Sequence, residues 1–236
     1  MTPDELGAAA HTLLTFNSPL SLTRAGGFIT HLAPQPGDRA LDLGCGWGEL
    51  LINLVTSAPG AEGDGIDSSR LAIERGRLAA PPSVRLHVGD AGAWDEPADI
   101  VVCIGATFAF GGASGALAAM RRLLRPGGRG LLGEGFWAKL PDAAALRGLG
   151  GASEEELTDL PGLLDLAATT GLEVVHHEVA SQEEWDDFES RWCEGLLQTR
   201  LPEAVFVAEE HRNGYLRGYR ETLGFAYLIV REEIIG

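Results

Sequence analysis

The sequence predicts an α/β fold in which seven strands form a mostly parallel sheet with helices on both faces. Two observations predict it. Short apolar, β-rich runs alternate with stretches of helical spacing through the middle of the chain, the rhythm of right-handed βαβ units. Two further strand-like runs then follow near the end, separated by some forty residues of helical character.

In order, the five central runs are Arg39 to Leu43, Gly63 to Ile66, Val84 to Val88, Asp99 to Ile104 and Gly128 to Gly133. Between them Glu49 to Ser57, Ser69 to Ala80 and Ala113 to Leu124 carry good helix formers at helical spacing. The segment Arg125-Pro-Gly-Gly128 is expected to end a helix and turn the chain into the next strand. Leu172 to Ala180 and Phe225 to Arg231 supply the last two strands. Between these, Trp185, Phe188, Trp192 and Leu196 mark one apolar helical stripe, and a second helix is expected to hold Val205, Phe206, Tyr215, Leu216 and Tyr219. The first thirty-five residues read as two short helices broken at Phe16-Asn-Ser-Pro19, with Asp4 as a candidate N-cap. No repeat or low-complexity linker divides the chain, so residues 1–236 are expected to form a single domain. Its parts are a helical cap (1–35), a ligand-binding core (36–135), substrate-side insertions with strand six (136–221) and the last strand (222–236).

Composition narrows the function. A formal net charge of −16 repels phosphate backbones, which argues against nucleic acid. No stretch reaches the roughly 18–20 apolar residues that cross a bilayer, and Met-Thr-Pro-Asp-Glu lacks the basic start of a signal peptide. A cytoplasmic protein without a membrane partner is expected. Cys45, Cys103 and Cys193 are odd in number and widely spaced, a pattern of reduced thiols rather than of disulfides or zinc.

The segment Leu41-Asp-Leu-Gly-Cys-Gly-Trp-Gly48 follows a strand and opens a helix, so a glycine-lined turn can bring backbone N–H groups close to a ligand. A dinucleotide fingerprint needs a third glycine at position 49, where the chain has Glu49, a poor neighbour for pyrophosphate. Asp67, twenty-three residues after Gly44, ends the second strand, where a carboxylate can accept both ribose hydroxyls. Asp90 ends the third strand in position to take a bond from an adenine amino group, with Trp94 near enough to cover the ring.

Taken together, these motifs resemble the class I S-adenosylmethionine-dependent methyltransferases. Leu41 to Gly48 is like their first motif, Asp67 like their ribose-binding acid, Gly89-Asp-Ala91 like their adenine site, Asp99 to Gly105 like their fourth motif, and Leu123 to Arg129 like the turn before their fifth strand. Phe16 to Pro19, Cys103 to Gly112, Gly133 to Trp137 and Tyr215 to Phe225 look like a bacterial subgroup with small-molecule or unassigned substrates. The resemblance implies a Rossmann-like sheet with an antiparallel last strand and S-adenosylmethionine as cofactor, leaving S-adenosylhomocysteine as product. It implies a cofactor site of Asp42, Gly44, Cys45, Gly46, Gly48, Asp67, Ser68, Asp90, Ala91, Trp94, Cys103 and Ile104, with Asp42 at the methionine end.

Methyl transfer is an in-line displacement that needs a nucleophile held roughly 3 Å from the methyl carbon, and a base only if the acceptor must lose a proton early. Glu134, at the end of the fifth strand, is the first candidate for that role, and His31 is the histidine expected nearest the cofactor. Thr107, Phe108 and Trp137 are expected beside the acceptor, with Trp185, Arg217 and Tyr219 closing over it. His176 and His177, adjacent on a strand, point to opposite faces and cannot share a metal, so none is expected. The leading expectation is methylation of oxygen, nitrogen or carbon of a small metabolite by a monomer or homodimer. A peptide or protein methyltransferase and a non-catalytic cofactor-binding protein are the alternatives, and a nicotinamide dehydrogenase ranks last because of Glu49.

Overall fold

A computed structural model describes residues 1–232, so the end of the last expected segment, residues 233–236, lies outside the described residues. Seven strands form one sheet: β1 (Arg39–Leu43), β2 (Glu62–Asp67), β3 (Val84–Val88), β4 (Ala98–Ile104), β5 (Leu124–Trp137), β6 (Leu172–Val179) and β7 (Leu223–Glu232). Their order is β3-β2-β1-β4-β5-β7-β6. β7 runs antiparallel to both its neighbours, and every other pairing is parallel. The order reverses between β1 and β4, so a crevice opens beyond the carboxyl ends of these two strands.

Alternation along the strands divides the core between two faces. Ile100, Val102, Leu131, Tyr227 and Ile229 pack under α2 (Leu22–Leu32) and α3 (Glu49–Thr56), with α4 (Arg70–Arg77) alongside. Val101, Cys103, Leu132, Leu228 and Val230 pack under α5 (Ala113–Leu123) and α7 (Leu160–Thr169). α1 (Pro3–Ala10), α6 (Ala143–Gly148), α8 (Gln182–Gln198) and α9 (Pro202–Gly214) complete the helices. Among the described residues no helix is long and apolar enough to cross a membrane.

Several local expectations change. Thr2, not Asp4, caps α1, in a reciprocal pair with Glu5, and Asp4 instead accepts from the Ser69 hydroxyl at 2.6 Å. Arg125 to Gly128 does not end before the strand: β5 already begins at Leu124, and a register shift between Ala98 and Ile100 absorbs the turn, with Gly127 at φ 78°. The aromatic stripe of α8 serves two partners. Trp185 and Phe188 pack on the sheet, whereas Trp192 and Leu196 join Ala10 of α1 in a separate small core. Phe206 and Leu216 face solvent, and Tyr215 to Tyr219 form a π turn rather than a continuation of α9.

Gly195 shows how tightly α1 is seated on α8. A Cβ there would stand 2.5 Å from the Ala9 carbonyl oxygen. Helix propensity favours alanine by about 0.5–1 kcal/mol, but overpacking costs about 1–3 kcal/mol. The clash wins, and thermal melts of Gly195→Ala are expected to fall by roughly 2–10 °C.

Candidate functional site

The turn after β1 is built from glycines in the left-handed region, with Gly44 at φ 78°, Gly46 at 55° and Gly48 at 75°, where a side chain would strain the backbone. Its amides are bonded within the chain. Gly44 and Cys45 N–H donate to the Ile66 carbonyl at 2.8 and 3.1 Å, and Gly46 N–H donates to Asp67 Oδ2 at 2.8 Å. The expectation that these amides point at a ligand therefore needs correction. The Gly44, Cys45 and Gly46 amides are thus spent on β2 and the Gly48 amide on the Cys45 carbonyl, and Glu49 lines the same space, so pyrophosphate is disfavoured.

The loop instead borders a cavity of about 450 Å³, a volume typical of small-molecule sites. Asp42, Gly44, Cys45, Gly46, Asp67, Ser68, Asp90, Ala91 and Ile104 line it, nine of the twelve residues expected around a cofactor. Asp67 is held by the Gly46 and Ser69 amides, one on each oxygen, which leaves lone pairs on both for further donors. Asp90 accepts from Gly92 N–H through Oδ1 at 2.8 Å. Asp42 is 5% exposed, and among the described residues its carboxylate takes no hydrogen bond. Burial, and secondarily the charge of Asp67, push its pKa up to about 7. A buried carboxylate of this kind lacks a cationic partner. A Cβ at Gly46 or Gly105 would meet no atom within 4 Å, so both positions leave space on the cavity side of the loops.

The roof of the cavity is a strap, Thr15 to Leu20, between α1 and α2. The sequence marks Phe16 to Pro19 as a break within the helical cap and as part of the subgroup resemblance, but not the groups that hold it. Trp47 Nε1 donates to the Thr15 carbonyl at 2.9 Å, and the Arg75 guanidinium donates to the His11 and Leu14 carbonyls at 2.8 and 3.0 Å. Arg75 also lies 4.0 Å over the Trp47 ring. Phe16, Ser18 and Leu20 are shared with a second, open groove walled by Ser181 to Arg191 of α8.

Three expected cofactor residues stand apart from the cavity. Gly48 turns toward Leu86, Cys103 is buried in the α5 side of the core, and Trp94 donates to the Glu96 carbonyl and packs on His87. Both Cys45 and Cys103 have thiol pKa values raised, mainly by burial, so neither is poised as a thiolate. Of the acceptor residues only Phe108 lines the cavity, and it is 78% exposed. Thr107 is buried beside Glu134. Trp137 donates to the Glu154 carbonyl, Trp185 packs against Phe225 and Phe188, and Tyr219 donates to Glu189. Arg217 lies on a different groove between α6 and α9. No residue of 136–221 lines the cavity, and that part of the chain reaches it only through the neighbouring groove.

Glu134 does not line the cavity either. Its Oε1 accepts from the Gly135 amide at 2.8 Å while Oε2 is buried without a partner. Burial raises its pKa, against the lowering effect of Thr107 and the Gly135 amide. His31 sits in the last turn of α2, stacked on His176, and is not brought to the cavity.

Residues 40–128 match the family described as a methyltransferase domain. The chain is 35% identical over 193 residues to the uncharacterized protein YjhP of Escherichia coli strain K12, covering 75% of each. It superposes with a TM-score of 0.88, at 27% identity and over 97% and 98% of the two chains, on a SAM-dependent methyltransferase from Geobacter sulfurreducens solved with S-adenosyl-L-homocysteine. A like enzyme from Thiobacillus denitrificans, solved with the same product, gives a TM-score of 0.83 at 27% identity, over 95% and 97% of the chains. The chain belongs to the class I S-adenosylmethionine-dependent methyltransferases, and the Rossmann-like sheet is theirs.

Proposed function

We propose that this enzyme transfers the methyl group of S-adenosylmethionine to oxygen, nitrogen or carbon of a small molecule held under the strap. The observation that carries the reading is the roofed cavity, in which an unpartnered buried carboxylate, two ribose-ready oxygens and an adenine-side carboxylate lie in the order of a nucleoside amino acid.

Asp42 would hold the ammonium of the methionine end, Asp67 the ribose hydroxyls and Asp90 the adenine amino group, while Gly46 and Gly105 leave room for the chain between them. When bound, S-adenosylmethionine supplies an electrophilic methyl carbon on a sulfonium. Phe16, Leu20 and Phe108 would exclude water and position an apolar portion of the acceptor, with Ser18 as a polar contact. Glu134, half-buried with its pKa raised, would take a proton only from an acceptor that reaches past Thr107. The strap also speaks for a small acceptor over a peptide, because a peptide needs an open trough at the reacting atom.

Calorimetry tests the reading. Wild type is expected to bind one S-adenosylhomocysteine, and Asp67→Ala to weaken it about 100-fold, since the variant loses both ribose contacts and the anchor of the Gly46 amide. A folded wild type that binds neither S-adenosylmethionine nor its product would overturn the assignment. Turnover on acceptor panels then separates small molecules from basic peptides.

A further inference from the structure

β6 carries a register shift between Val174 and His176. Val174 packs on the α5 and α7 side of the sheet. In a regular strand His176, two residues on, would share that face. The shift sends it to the opposite side, under α2, where its ring stacks on His31 with centroids 4.0 Å apart. Glu178, two residues further, follows it to the same side, and its Oε1 lies 3.0 Å from His176 Nε2. The other oxygen of Glu178 is held by the Arg24 guanidinium from α2, which in turn is anchored to Glu184.

Two imidazoles and one carboxylate thus converge from two elements. One ligand-competent atom from each lies within 4.8 Å of the others. A tetrahedral zinc shell wants nitrogen and carboxylate oxygen about 2.0–2.2 Å from the metal, so the three atoms need a modest contraction. His31 supplies it by turning out of its stack on His176, because near-parallel rings 4.0 Å apart cannot both aim a nitrogen at one ion, and its exposure on the last turn of α2 leaves the ring free to turn. Arg24 fixes the carboxylate from behind, the role of an outer-shell partner. Solvent access leaves the fourth position to water. Expecting no metal because His176 and His177 diverge overlooked this arrangement: they do diverge, but the other ligands come from Glu178 and from α2.

We propose that His31, His176 and Glu178 bind one divalent transition-metal ion of the zinc class, pinning α2 to the edge strand β6. The site lies outside the cofactor cavity and does not depend on the catalytic reading.

Zinc chloride titrated into the full-length protein by calorimetry is expected to fill one site. His31→Ala, His176→Ala and Glu178→Gln are each expected to weaken it at least about tenfold, while His11→Ala and His87→Ala leave it unchanged. His31 is exposed, so its alanine variant keeps the fold and carries the test if the strand variants do not. Cobalt(II) is expected to give visible d–d bands without a near-ultraviolet thiolate charge-transfer band. Absence of zinc binding, binding unchanged in His31→Ala, or a thiolate band implicating the cysteines would each overturn the proposal.

Discussion

At pH 8, Asp42→Asn is expected to melt at a higher temperature than the wild type and to bind S-adenosylhomocysteine at least about 100-fold more weakly. Both effects come from one carboxylate. Asp42 titrates near pH 7 in the folded protein, against about 3.9 in an unfolded chain. Its pKa is raised on folding, so its stabilising contribution is fully present below about pH 4. That contribution is lost as pH rises toward 7, at a slope approaching 1.4 kcal/mol per unit. Asparagine is neutral throughout and removes the slope. The carboxylate therefore costs stability at neutral pH, and the proposed role of receiving an ammonium is what offsets that cost. Ligand binding below pH 7 should then release a proton, visible as a buffer-dependent enthalpy. Melts of both proteins from pH 4 to 8 check the first half; identical slopes would show that Asp42 is not the titrating group.

Gly46→Val and Gly44→Ala are expected to fail in different ways. At Gly46 a Cβ would meet no protein atom within 4 Å, and it projects where the cofactor's chain would pass. Its backbone, at φ 55°, also resists a β-branched residue. The expected result is a melting temperature lower by a few degrees with product affinity reduced about 100-fold or more. At Gly44 a Cβ would stand 2.2 Å from the Ala106 Cβ, which drives the β1 loop away from the β4 loop. There a fall of about 5 °C or more should accompany the loss of binding. Differential scanning fluorimetry with and without S-adenosylhomocysteine separates the two; near-wild-type ligand stabilisation in Gly46→Val would remove the cofactor from that side of the loop.

What the sequence made legible was the part whose consequences are local. Glycines at a strand-to-helix turn, and acids at the ends of the next two strands, occupy places fixed by the βαβ repeat itself, so Asp42, Gly46, Asp67 and Asp90 come together around one cavity. The strap was legible as a break in the cap and as a subgroup-like segment but not as a tethered roof, because Trp47 holds its Thr15 carbonyl and Arg75 the Leu14 carbonyl just before it, from 32 and 61 residues further on. Trp137, Trp185 and Tyr219 were expected near the acceptor, but each has a distant partner that periodicity does not disclose: the Glu154 carbonyl, Phe225 of β7 and Glu189. The same long-range dependence hid His31, whose neighbour was set by a shift in a strand some 145 residues away.

The strap has a kinetic consequence. Hydrogen bonds from Trp47 to Thr15 and from Tyr227 to Pro19 tie it to the glycine loop and to β7, Arg75 holds the His11 and Leu14 carbonyls just before it, and Phe16 and Leu20 are buried. With about 1 kcal/mol lost for each hydrogen bond and about 1.5–3 kcal/mol for each buried apolar side chain exposed, the lifted state is a small minority. A ligand whose own loop grips its lid enters and leaves through that minority state. Dissociation of spent cofactor would then depend on how often the strap lifts, and Trp47, whose indole holds the Thr15 carbonyl, would change its emission each time it does.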